Sequence, residues 1–328
     1  MSASRPLTAT ELAAEKARRV RSRRRRRSLT VLVIAAAVVV TALVWRTRPL
    51  DSRSAAGAGV QLDPSAFSPT ACMALAPTSG DRHTTVFLDA GHGGLDPGAV
   101  GTTSSGASID EGTETLPVEL DAAQLLRADG YRVVVSRTTD SSVVRLTSAD
   151  LAGGVLSLQG AHDDVAARDV CANLSGAAVL VGIYFDSGGS ASDAGSVTTY
   201  DAARPFSTAN LRLADLVQKD VLAAMNAKGW QIPDDGVQPD SEEGSLVPTS
   251  SDSALAQAAA SYGHVLLLGP ADPGYFATPS TMPGALIEPL FVTDPFEGTL
   301  AATPADQEVI ARGVATAVEQ YLAPARTG

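Results

Sequence analysis

The chain has 328 residues, 45% of them hydrophobic, and a formal net charge of −11 that averages two opposed parts. Residues 1–50 hold twelve Lys and Arg against Glu11 and Glu15, a balance of +10; the other 278 residues hold 13 basic against 34 acidic groups, a balance of −21. So acidic a main part excludes nucleic acid as its partner, and a basic arm set directly before an apolar stretch reads as a topology signal, because Lys and Arg beside a membrane span stay cytoplasmic.

The basic arm covers residues 1–27. Ser28 to Trp45 (SLTVLVIAAAVVVTALVW) carries no charge over eighteen positions, and at ~1.5 Å per residue it reaches ~27 Å, enough to cross a bilayer. It reads as one transmembrane signal anchor with a cytoplasmic N-terminus, Trp45 at the outer interface and the rest of the chain extracytoplasmic. A cleaved signal peptide is the alternative, with Ala55 to Gly59 as the place for cleavage. The apolar core exceeds the ~7–15 residues usual for such peptides, which favours the anchor.

Residues 46–80, rich in Ser, Ala, Gly and Pro and without a sustained period, read as a linker. From residue 81 to 325 short apolar runs alternate with helical patterns. This is the signature of an α/β domain in three layers, a largely parallel sheet flanked by helices and preceded in the chain by the one transmembrane helix. Strands are predicted at Thr84–Asp89, Arg132–Ser136, Ala177–Phe185, Ser196–Tyr200, His264–Leu268 and Ala285–Leu290. Several of these are continuous apolar runs, as strands covered on both faces require. Helices are predicted at Leu116–Ala128, Val165–Leu174, Asn210–Lys228 and Pro304–Tyr321. Gln231 to Ser253 is acidic and rich in Pro, Gly and Ser, and reads as a long loop.

Cys72 and Cys171 both fall beyond the span, where disulfides persist, so a bridge between them is expected; two buried free thiols are the alternative.

In Val86 to Gly101 (VFLDAGHGGLDPGAVG) a hydrophobic strand ends at Asp89 and delivers His92 into a glycine-rich turn. Ligands of parallel sheets bind beyond the C-terminal strand ends, where small residues allow close approach. The segment resembles the opening motif of the zinc-dependent N-acetylmuramoyl-L-alanine amidases. The resemblance continues through Glu111, GYRVVVSRTTD (Gly130 to Asp140), AARDVCANLSGAAVLVGIY (Ala166 to Tyr184) and GALIEPLFVTDPFE (Gly284 to Glu297).

That resemblance implies an N-acetylmuramoyl-L-alanine amidase acting on peptidoglycan, with Zn2+ bound by His92 and by Glu111, Glu114 being the competitor. It implies a third histidine at the end of the strand that runs Gly182, Ile183, Tyr184, Phe185, Asp186. Tyr184 stands in that place, and Asp186 stands where the family has Asn. A Tyr oxygen or the Asp186 carboxylate is thus the candidate to complete the ligand set, while an aromatic plug in a site without metal is the opposing reading. Glu288, within the apolar run ALIEPLF, corresponds to the family's general base, and a carboxylate there needs a reason to be buried. His83, His162 and His264 match no ligand position; His264 reads as a strand-end residue, with a place lining the groove as the alternative. The alternative to an active amidase is a silent relative that binds peptidoglycan or regulates another hydrolase. No oligomeric state is legible.

Overall fold

The computed structural model describes residues 59–242 and 253–324. The basic arm and the predicted span at 28–45 lie outside these residues, and among the described ones no helix is long and apolar enough to cross a membrane. The strands in chain order are β1 (Val60–Gln61), β2 (Ala71–Leu75), β3 (Thr85–Ala90), β4 (Val100–Thr102), β5 (Ser108–Asp110), β6 (Arg132–Arg137), β7 (Leu151–Ala152), β8 (Val155–Leu156), β9 (Val179–Ile183), β10 (Ser196–Tyr200), β11 (Asp234–Pro239) and β12 (Gly284–Glu288). The helices are α1 (Glu111–Ala128), α2 (Leu158–Ser175), α3 (Ser207–Asn226), α4 (Ala254–Tyr262), α5 (Pro295–Ala301) and α6 (Pro304–Leu322).

Eight strands form one sheet in the order β1-β2-β6-β3-β9-β12-β10-β11, while β4 with β5 and β7 with β8 make two small hairpins. The central four, β6, β3, β9 and β12, are parallel. At the flanks β2 runs antiparallel to β6 and β10 antiparallel to β12. The expected parallel sheet is therefore its centre, and the whole is mixed.

The central strands are continuous apolar runs because both faces are covered. Val86, Leu88, Val133, Val135, Val179 and Val181 pack with residues of α1, α3 and α6 on one face. Phe87, Val134 and Leu180 alternate with them and face the other side, where α2 supplies Ala167, Cys171 and Ala172. Asp110 starts α1 by accepting Thr113 N–H at 2.9 Å, which sets its first residue at Glu111 rather than Leu116.

Three expectations need correction. The linker read at 46–80 is too long: β1 and β2 belong to the sheet, and Phe67, Ala71, Cys72 and Leu75 are buried. A five-residue strand inside a Ser- and Pro-rich stretch shows no period to read. The run His264–Leu268 is a turn, with Leu268 and Gly269 N–H both donating to the Val265 carbonyl; it buries Leu267 and Leu268 without pairing, which a short apolar run does not distinguish from a strand. The loop read at 231–253 contains β11, whose Gly236 and Pro239 disguised it.

The expected disulfide is present. Cys72 of β2 and Cys171 of α2 are bonded with 5.6 Å between their Cα atoms, closing a separation of 99 residues and fastening the strand next to the sheet's edge to the helix layer.

Candidate active site

At the C-terminal end of β3 the chain turns through Gly91, His92, Gly93 and Gly94, and His92 sits in the left-handed region at φ 57°. Two buried guanidinium groups hold the turn. Arg168 of α2 donates to Asp89 Oδ1 at 2.7 Å, Asp164 Oδ2 at 2.8 Å, the Ala90 carbonyl at 2.6 Å and the His92 carbonyl at 2.7 Å. Arg137, at the end of β6, donates to the carbonyls of Ala90, Gly91 and Gly112 at 3.2, 3.1 and 2.5 Å. Buried charges at this density persist only when their partners are nearly all supplied, and here they fix the backbone that presents His92.

The His92 ring lies between two carboxylates, with Nδ1 2.8 Å from Asp96 Oδ2 and Nε2 3.3 Å from Glu111 Oε2. Burial pushes the imidazole pKa down, but Asp96 and Glu111 outweigh it and hold the pKa well above its ordinary value. Burial likewise raises Asp96, yet its attraction to His92 prevails and lowers it to about 2. Glu111 opens α1 and is fastened at both oxygens, Oε1 accepting Phe185 N–H at 3.0 Å and Oε2 accepting Ala99 N–H at 3.0 Å. Its competitor Glu114 instead accepts from Gln307 of α6 at 2.9 Å. Gly98 makes this closeness possible: its φ is +63°, and a Cβ there would stand 2.6 Å from both Glu111 Oε2 and the His92 ring.

Tyr184, just after β9, is buried and meets the His92 ring edge-on with centroids 5.4 Å apart. A Cβ on Gly91 would touch its ring at 2.5 Å. Its hydroxyl donates to Asp89 Oδ2 at 3.1 Å. Burial, with the Asp89 charge, raises the phenol pKa well above its ordinary value. Asp186, also buried, accepts its neighbour Ser187 N–H at 2.6 Å.

A tetrahedral ion with bonds of ~2.0–2.1 Å separates its ligand atoms by roughly 3.3–3.4 Å, which the 3.3 Å between His92 Nε2 and Glu111 Oε2 matches. Among the described residues no third imidazole, carboxylate or thiolate joins these two, and the Tyr184 oxygen is engaged with Asp89. His92 and Glu111 are thus two side chains of suitable chemistry at that spacing, where a catalytic zinc takes three protein ligands.

Glu288 ends β12, half-buried, with Tyr184 N–H donating to the neighbouring Ile287 carbonyl at 2.9 Å. Strand alternation puts Glu288 on the face of Leu286, which packs in the same cluster as Tyr184. The other histidines stand apart: His83 is exposed beside Asp81, His162 packs on Tyr275, and His264 meets Asp201 and Asp240. Sequence reasoning missed Asp96, Asp89, Arg137 and Arg168. Asp96 was visible as the carboxylate four residues after His92 in the glycine turn, and the arginines as charges beside apolar runs.

The family model described as N-acetylmuramoyl-L-alanine amidase matches residues 86–320. Among solved structures, the CwlD amidase of Clostridioides difficile, solved in complex with the GerS lipoprotein, is 21% identical with a TM-score of 0.50, the match covering 73% of this chain and 98% of that one. The N-acetylmuramoyl-L-alanine amidase AmiC2 of Nostoc punctiforme is 20% identical at a TM-score of 0.49, covering 74% and 99%. Ami1 of Mycobacterium smegmatis is 18% identical at 0.47, covering 74% and 98%. No curated protein matches. The likeness to CwlD concerns the fold alone, but the family model spans well over half the chain, and by that measure the chain belongs to the N-acetylmuramoyl-L-alanine amidase family of cell-wall hydrolases.

Proposed function

We propose that the domain hydrolyses the amide between N-acetylmuramic acid and L-alanine in peptidoglycan, at the edge where β3, β9 and β12 end. The observation that carries this reading is the convergence of His92 Nε2 and Glu111 Oε2 at 3.3 Å within a domain matched by the amidase family model. Glu288 is assigned the proton transfers: it takes a proton from the attacking water and returns it to the departing amine of L-alanine. The ion proposed at His92 and Glu111 is Zn2+. With two protein ligands it is expected to be held weakly, since loss of even an outer partner of a ligand typically costs ~10–100-fold in affinity.

A second reading, a silent relative that binds peptidoglycan, rests on Tyr184, whose hydroxyl is committed to Asp89 where the family has a ligand. The two separate on one experiment. Purified peptidoglycan is digested with the full chain and with Glu288→Gln, and newly freed stem peptides with an N-terminal L-alanine are measured by mass spectrometry. The amidase reading expects release by the wild type and its loss in Glu288→Gln. Equal binding of peptidoglycan by both, with no release from either, would establish the second reading.

The charge asymmetry and the apolar run at 28–45 support a further proposal, that the domain is tethered outside the cytoplasmic membrane by that segment. A tether would raise its effective concentration at the wall.

A further inference from the structure

We propose that Asp201, Asp240 and His264 form a second cation site, separate from His92 and Glu111, that takes a first-row divalent ion of the zinc type. Asp201 follows β10 and Asp240 follows β11, and the strands are paired in register up to Tyr200 and Pro239, so both carboxylates leave the sheet side by side. Because β10 is antiparallel to β12, this is the end of the sheet at which β12 begins, opposite to the end that carries His92. His264 arrives from a third segment, just beyond the Gly263 that caps α4.

One imidazole nitrogen and one oxygen from each carboxylate lie within 4.8 Å of one another. His264 Nδ1 stands 2.9 Å from Asp201 Oδ2 and 3.2 Å from Asp240 Oδ2, inside the roughly 3.3–3.6 Å that a tetrahedral zinc with ~2.0–2.2 Å bonds imposes, so that an ion would part the three groups slightly. The set of one imidazole and two carboxylates suits zinc, whereas calcium seeks six to eight oxygens.

Hydrogen bonding leaves this cluster incomplete. A ring nitrogen carries one proton, and Nδ1 has hydrogen-bond geometry toward Asp240 alone. Asp201 Oδ2, in a residue with no exposed surface, receives no N–H or hydroxyl donor despite its closeness to the ring, and the carboxyl beside it is that of Asp240. Two adjoining carboxylates in the interior need either a shared proton or a cation between them. Arg204 is not that cation, because its guanidinium donates to the carbonyls of Leu268, Gly269 and Ser280.

The donors are positioned in advance. Asp201 Oδ1 accepts the N–H groups of Ala203 and Arg204 at 2.6 and 2.9 Å, Asp240 Oδ2 accepts Val265 N–H at 3.1 Å, and the Tyr262 ring meets His264 edge-on at 5.3 Å. Such fixed partners orient ligands in metal centres. His264 is partly exposed, which leaves the ion a way in and a place for water. An ion here fastens the β10–β11 edge to the turn carrying Leu267 and Leu268, both buried in the second core cluster. Its role is structural.

The test uses the full chain carrying His92→Ala and Glu111→Gln, so that the family site contributes no ligands. After zinc loading and dialysis, zinc per protein is measured by mass spectrometry, and Tm with and without zinc by circular dichroism. The site predicts close to one zinc per chain, a higher Tm with zinc, and loss of both on adding His264→Ala. No retained zinc in the folded background protein, or retention unchanged by His264→Ala, would overturn it. If His264→Ala fails to fold, Co2+ absorption of the background protein decides: intense d–d bands of a four-coordinate site support the proposal, and their absence refutes it. Neither result bears on the amidase reading, which the release of stem peptides tests by itself.

Discussion

The Tyr184 hydroxyl lies 3.1 Å from Asp89 Oδ2 and donates to it, while Arg168 holds the other oxygen of that carboxylate at 2.7 Å. The phenol therefore belongs to the hydrogen-bond network beneath the His92 turn. Tyr184→Phe removes one donor from a carboxylate that keeps its guanidinium partner. The expected loss is about 1–2 kcal/mol of unfolding free energy, read from urea denaturation. A change near zero would mean the hydroxyl is not engaged.

Arg168 itself is a different matter. Arg168→Met strands Asp89 and Asp164 in the interior and frees the Ala90 and His92 carbonyls, so a loss of roughly 3–5 kcal/mol is expected. Denaturation midpoints of Arg168→Met and Tyr184→Phe, measured side by side, should differ clearly. Equal midpoints would contradict this hierarchy.

The central strands and the helices α3 and α6 were legible because each is a continuous or periodic apolar run whose burial decides its conformation, while α1 and α2 carry a weaker pattern. β2 was not: its five residues sit in composition that reads as linker, and its place depends on pairing with β6 and on the bond from Cys72 to Cys171. His92 and Glu111 were legible through the motif they share with a family. Of the partners that orient them, Asp96 lies four residues from His92 within the same turn, whereas Arg137 and Arg168 were not legible because they act through contacts between segments far apart in the chain. The cluster of Asp201, Asp240 and His264 is the extreme case, assembled from three turns with no common motif.

Removing the disulfide should cost more than its buried surface suggests. Cys72→Ser with Cys171→Ser reopens a separation of 99 residues, and chain entropy for a loop of that size predicts a loss of up to ~4.7 kcal/mol, within an observed range of about 2–5. Thermal unfolding of the double variant measures it, and an unchanged Tm would show that β2 does not need the bond.

Glu119 gives stability a specific pH dependence. Burial raises its carboxyl from 4.5 to about 8, with Arg137 opposing and Asp89 assisting, while Oε1 accepts the N–H groups of Ala90 and Ser136. A raised acid pKa means that the folded chain keeps a proton the unfolded chain releases. Its contribution is full below pH 4.5 and falls through the window up to about 8, by as much as ~1.4 kcal/mol per pH unit. Glu119→Gln keeps the accepting oxygen and cannot ionise, so its stability should be flatter across that window than the wild type's. Parallel pH profiles of the two would contradict the assignment.

The most direct measurement is the zinc concentration needed for half-maximal release of stem peptide, compared between the wild type and Tyr184→His. Activity as the readout keeps zinc at any other site out of the comparison. If the site is a two-ligand amidase centre with Tyr184 in the third place, restoring the imidazole lowers that concentration at least ~10-fold and raises the rate. An unchanged zinc requirement and rate would mean that the wild type already has a complete metal site, and would contradict the account given of Tyr184.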